Sequence, residues 1–209
     1  MGRRIGVLAT GHKEESMKRL AAFALAALLC SLAFAQQPPA RVRGTITAVD
    51  GDVLSVKSRD GTDLKVHLTP DAGVTTAKST TLDALKGKYV GATAVSKDGK
   101  MVALEVHAIP PQAKPGHFPW DLAPGSTMTN ANLEGVAQAS GGSEITLNYQ
   151  GGSQTILVPP GTPIVTFDPG SRADLKPGET IWSNARREAD GRIVAERLNV
   201  SKDGVKPPH

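Results

Sequence analysis

Two stretches of this chain repeat one another in order, and that repetition restricts the fold more than any single motif. Displaced by 91 residues, Val42-Arg43-Gly44-Thr45-Ile46 aligns with Leu133-Glu134-Gly135-Val136-Ala137, and Leu54-Ser55-Val56 with Ile145-Thr146-Leu147. Gly61 meets Gly152 at the same displacement. Leu85-Lys86 meets Leu175-Lys176 at 90, and the run from Asp98 to Ala103 meets that from Asp190 to Ala195 at 92. Shared turn glycines explain single matches between small β domains. They do not explain collinear agreement over some 65 residues, which is the signature of a duplicated unit.

Each copy reads as strands. Leu54 and Val56 alternate with Ser55 and Lys57. Leu64, Val66 and Leu68 alternate with Lys65 and His67, and Val102, Leu104 and Val106 with Ala103, Glu105 and His107. Period two with one apolar face is the pattern of a half-buried strand. Asp50-Gly51-Asp52, Arg59-Asp60-Gly61 and Lys97-Asp98-Gly99 separate the runs as hairpin turns, because Asp and Gly tolerate positive φ. Between the third and fourth runs, Thr81 can cap a short helical turn that Gly87 stops. In the second copy Ser171 opens the same turn and Pro177-Gly178 close it. Three strands, a helical turn and two strands is the order of a five-stranded OB-like barrel. The expected fold is therefore all-β, two tandem five-stranded OB-like barrels. They would occupy residues 41–109 and 132–201, joined by a connector at 110–131 and followed by a tail at 202–209. A two-sheet sandwich per copy is the alternative.

The pattern Gly-x-Ile/Val, Leu-x-Val, Gly, Leu-Lys-x-Gly and Asp-Gly-x-x-Val-Ala resembles that of an uncharacterised bacterial family of exported small β-barrel domains, often in tandem. The resemblance spans both copies and rests on turn glycines and core aliphatics. It implies the fold and export and carries no catalytic residues with it. Some similar chains are labelled metal transporter permease. This sequence departs from that label, having no later segment apolar enough to span a membrane as a helix. At most an accessory role in metal transport follows.

The leader accounts for most of the charge. The 209 residues carry a formal net charge of +4. Residues 1–35 contain five of the 24 Lys and Arg and two of the 20 Asp and Glu, which leaves 19 against 18, or +1, in the remainder. Lys18-Arg19, the apolar run Leu20–Leu29 and Ala33-Phe34-Ala35 make up a secretory signal peptide, cleaved after Ala35. Cys30 follows Leu29 rather than a small residue, which argues against lipoprotein processing. Translation is expected from Met17, because Lys13-Glu14-Glu15 can be encoded by a ribosome-binding sequence. The expected location is periplasmic or secreted. Without Cys30 the mature chain has no cysteine, so disulfide frameworks and Cys-based zinc sites are excluded.

Residues 110–131 hold five Pro and two Gly, and regular structure is not expected there. Yet Phe118 and Trp120 are two of the six aromatics of the mature chain. Flexible linkers lack such residues. These two are expected to dock between the barrels and fix their angle. His117, Phe118, Trp120 and Asp121 are the candidate ligand-binding residues, since clefts between domains are common ligand sites.

Glu105 and His107 are two residues apart on a strand and so share a face. With His67 from a neighbouring strand they are the candidate metal ligands. A solvated polar face is the preferred reading of them, because the pattern already calls for polar residues there. The second copy has Arg197 and Asn199 at the matching places, and Val158 at that of His67. No Gly-x-Ser-x-Gly, Walker or dinucleotide motif occurs. A near-neutral, aromatic-poor, exported chain does not suit nucleic acid. The sequence therefore points to a non-enzymatic, exported protein with no cofactor that binds a protein or small ligand in the envelope. A periplasmic metal-binding accessory is the alternative.

Overall fold

The computed structural model describes residues 40–207. The signal peptide, the Ala35 cleavage site, Cys30 and the Met17 start lie outside them. In chain order the elements are β1 (Ala40–Asp50), β2 (Val53–Ser58), β3 (Asp63–Ser79), α1 (Leu82–Leu85), β4 (Tyr89–Lys97), β5 (Lys100–Ala108) and β6 (Gly116–Pro119). Then come β7 (Thr127–Ala139), β8 (Gly142–Tyr149), β9 (Gly152–Val158), β10 (Ile164–Pro169), a 3-10 turn (Arg172–Asp174), β11 (Thr180–Arg187) and β12 (Ile193–Val200). The chain is all-β, as its period-two runs require, and its hairpin turns fall at the expected Gly positions. Thr81 caps α1, its Oγ1 accepting from the Ala84 amide at 3.2 Å. No helix among the described residues is long and apolar enough to cross a membrane.

Strands β1, β2, β3, β12 and β11 form a closed five-stranded barrel. Every pairing in it is antiparallel except β3 with β12. Its core joins Val42, Ile46, Leu54, Val56 and Val66 to Ile181, Ala195, Leu198 and Val200. The barrel thus draws three strands from the first copy and two from the second. The other strands continue the sheet beside it. β7, β8 and β9 pair in sequence, β4 pairs with β7 and β5 with β4. β5 then meets β9 in parallel at Val102 and Leu157. Val90, Ala92 and Val106 pack here with Leu133, Ile145, Leu147 and Ile156. One barrel per contiguous copy, as expected from the repeat, is not what the strands build. The closed barrel joins the strands of residues 40–79 to those of residues 180–200.

The length of β3 causes this arrangement. Its 17 residues continue as one strand through Pro70 and Gly73, bulging there, since the stretch from Leu68 to Gly73 lies opposite only Ala195 to Arg197 on β12. Only Thr80 and Thr81 separate β3 from α1, so β4 lands away from the barrel that β3 left. In the second copy Pro159-Pro160-Gly161 breaks the same path into β9 and β10. β10 pairs antiparallel with the far end of β3, from Val165 opposite Ser79 to Pro169 opposite Thr75. It also pairs in parallel with β5. The pair Ala77 and Phe167 lies at the centre of this junction.

The ladders correct the alignment of the copies. Ile46 faces Val56 in the first hairpin, and Leu133 faces Leu147 in the second, each immediately before a bulge. β1 therefore matches β7 at a displacement of 87, not 91. The β7–β8 hairpin is longer by the pairs Gln138–Ser143 and Ala139–Gly142. Likewise Val194 faces His67 while Val102 faces Leu157, so Leu157 rather than Val158 stands in the place of His67.

Candidate binding face under the connector

Residues paired across a ladder point to the same side of the sheet, so the registers define a face. One row runs Arg43, Trp182, Asn199, Thr75 across β1, β11, β12 and β3. Another runs Gly116, Asn130, Gly91, His107, Val165, Ser79 across β6, β7, β4, β5, β10 and β3. Thr75 and Ser79 have the same parity on β3. The two rows thus belong to one continuous face.

The connector lies against this face and is not without regular structure. Gly116–Pro119 forms β6 on the edge of β7, and β7 itself begins at Thr127. The loop between them is closed by Ser126, whose Oγ donates to the Trp120 carbonyl at 3.0 Å and accepts from the Ala123 amide at 3.1 Å. Beyond Pro119 the loop reaches the first barrel. Both Asp121 carboxylate oxygens accept from Arg43, at 2.8 and 3.0 Å. Arg41 lies 3.0 Å from the same carboxylate. The Arg59 guanidinium donates to the Leu122 carbonyl at 3.1 Å. Arg43 is 9% exposed and needs a counter-charge, because a buried unpaired cation is costly. The Arg43 bond foremost, with Arg41 adding to it, pulls the Asp121 carboxyl down to about 2.

Around this clamp the aromatics alternate with cations. The Arg41 guanidinium lies 4.1 Å from the Trp120 ring centre, and that of Arg43 5.7 Å away. Phe118 meets Trp120 edge-on at 6.1 Å, and Lys114 Nζ lies 5.7 Å from the Phe118 ring. Phe118, Trp120 and Asp121 are thus brought together. His117 is not with them. One residue from Phe118 on β6, it points to the opposite side, where its Nδ1 shares a 2.8 Å hydrogen bond with Thr129 Oγ1 and its ring stacks on Tyr149 at 6.5 Å.

Glu105 and His107 share the face as expected, but neither is solvated. They are 4% and 8% exposed. Glu105 accepts from the buried Thr93 hydroxyl at 2.9 Å. The His107 ring lies so close over Gly91 that a Cβ there would be 2.9 Å from Nε2. The closed barrel reverses the sizes: Trp182 stands opposite Asn199 there, as Gly91 stands opposite His107 here. His67 sits between Val53 and Val194 in the first barrel, away from the other two. Among the described residues no group of three His, Cys, Asp or Glu is placed to hold a metal. A shallow cleft of about 240 Å³, lined by Lys100, Met101, Glu144, Gln154 and Leu157 among others, marks the thinly zipped seam of β5 and β9.

Burial pushes the His107 imidazole down to about 4. Its folded value lies below the unfolded 6.5, so the unfolded chain binds the proton first and stability falls as pH drops from about 6.5 to about 4. The loss amounts to at most about 3 kcal/mol and levels off below that window. His107→Asn, which installs the residue of the sister position, is expected to flatten this part of the profile. Urea denaturation at pH 7 and pH 4.5 checks it.

Sequence reasoning passed over Arg41, Arg43 and Trp182. The available signal was the pair of arginines flanking core-facing Val42, both on the outer face of β1. Neither a family model, nor a curated protein, nor a solved structure matches the chain.

Proposed function

We propose that the chain is an exported, non-enzymatic binding protein of the cell envelope, a duplicated pair of OB-like barrels closed by exchanging strands. Its contact surface is the connector and the sheet face beneath it. The Asp121 clamp on buried Arg43 is the observation that supports this reading. A mere spacer has no need of a buried guanidinium to seat it, whereas a preorganised aromatic ledge does. Phe118 and Trp120 are held half-buried between Lys114 and Arg41, presenting ring faces and cations together. Such mixed surfaces favour protein or ligand contact.

A photo-cross-linking residue placed at exposed Lys114 tests this in cells that export the protein. A discrete cross-linked product is expected from the envelope fraction, containing a chain that starts at Gln36. The same residue at exposed Asp63 serves as the control and is expected to give none. Equal products from both positions, or none from 114, would overturn the reading.

A further inference from the structure

Two buried donors on neighbouring residues of this face have no acceptor. Arg43 gives its two terminal nitrogens to Asp121, but its Nε is buried and unpartnered among the described residues. Trp182 Nε1 is likewise buried and unpartnered. The two residues face each other directly on β1 and β11, which brings their Cβ atoms to about 5 Å. Unmatched buried donors are uncommon, and each calls for a partner. Two of them, side by side, call for one shared acceptor.

The charges say what kind. Arg41 and Arg43 bring two positive charges to the cluster and Asp121 returns one negative. A guanidinium offers a second planar edge, at Nε, that a carboxylate can take while the end is occupied. We propose that the Nε edge of Arg43 and the indole N–H of Trp182 form a binding site for a carboxylate carried by the ligand, with Asp121 kept as the fixed second carboxylate. The ligand class is thus acidic: a small carboxylate or an acidic peptide. This deepens the preceding reading and rests on the same face being the contact surface. It is tested on purified protein with no partner present, so it stands or falls apart from the cross-link.

The chain has two tryptophans, so its indole N–H signals in a ¹⁵N–¹H spectrum are two, and Trp182→Phe identifies the one from Trp182. At constant ionic strength, succinate and a tetraglutamate peptide are titrated in parallel. A saturable shift of the Trp182 signal is expected with at least one of them. A preference for succinate points to a small-molecule source, and one for the peptide to a protein source. Arg43→Lys keeps the charge and removes the Nε donor, and is expected to weaken binding at least tenfold. Asp121→Asn raises the local charge and is expected to tighten binding several-fold, a readout that does not require the Arg43 variant to fold. No saturable shift, an equal shift with sodium chloride, or unchanged affinity in Asp121→Asn would mean that water alone fills the site, and the proposal falls.

Discussion

A single backbone cut between Pro111 and Gln112 is expected to leave one particle of unchanged size. The fragments 1–111 and 112–209 would then carry β1–β5 and β6–β12. The closed barrel takes strands from both fragments, and so do the strands beside it. β1 pairs with β11, β3 with β12 and β10, β4 with β7, and β5 with β9 and β10. Separating the fragments would uncover Val42, Leu54 and Val66 on one side of the first core and Ile181, Leu198 and Val200 on the other. Each such side chain is worth about 1.5–3 kcal/mol when fully buried. A protease site inserted at this point should give two bands in denaturing gels and one native peak at the uncut elution volume, separable only in denaturant. Contiguous barrels would instead come apart as two folded halves after the cut. Size-exclusion chromatography of the cleaved protein distinguishes the outcomes.

Strand identity was legible because period two and Asp-Gly turns act locally. Which strands close the barrel was not, for a physical reason. Two runs of similarly patterned strands offer equivalent partners, so by pattern alone β11 and β12 complete the ring of β1–β3 as well as β4 and β5 would. Apolar patterning does not report which copy closes the ring. What decides is the run of β3 through Pro70 to Ser79, and a proline in that run reads as a break. The alignment error at β1 has a similar origin. Displacements of 87 and 91 differ by four residues, an even number, so both place the same apolar residues inward. Only the extra pairs of the β7–β8 hairpin separate them, and hairpin length leaves no mark on the pattern.

The candidate site divides along the same line. That Phe118 and Trp120 dock was legible from residue type, since large aromatics amid prolines have to pack. That His117 turns away follows from strand alternation once Gly116–Pro119 is known to be a strand, which its prolines concealed. Glu105 and His107 read as solvent-facing because periodicity describes one sheet and its own core. Their burial comes from packing over the outer face, which alternation along a strand does not encode. Arg43 became visible only with Asp121, 78 residues away in sequence.

Gly44→Ala is expected to be the most damaging single substitution in the first barrel. Gly44 faces Ile181 on β11 and Ser58 on β2 at once, the corner where β1 leaves one neighbour for the other. A Cβ there would sit 2.2 Å from the Lys57 carbonyl oxygen and 2.8 Å from Ser58 Cα, both backbone atoms with no rotamer to change. The strands would have to part, loosening Ile46, Leu54 and Val56, each at most 1% exposed. It would also shift Arg43, and with it the seat of the connector. The expected cost is above about 3 kcal/mol, a large part of the 5–15 kcal/mol that holds a typical domain. In a domain of this size it lowers Tm by roughly 10 °C or prevents folding. The sister position explains why the site is specific. Ala131 matches Gly44 opposite Val90, but its ladder to β8 starts one residue later, at Asn132 opposite Asn148. A methyl group therefore fits there, and Ala131→Gly should cost only about 1 kcal/mol. Thermal denaturation of the two variants reads the difference directly. Equal Tm values would mean that β1 does not turn its corner at Gly44, and that Arg43 is not held against Trp182 by the tight β1–β2 approach.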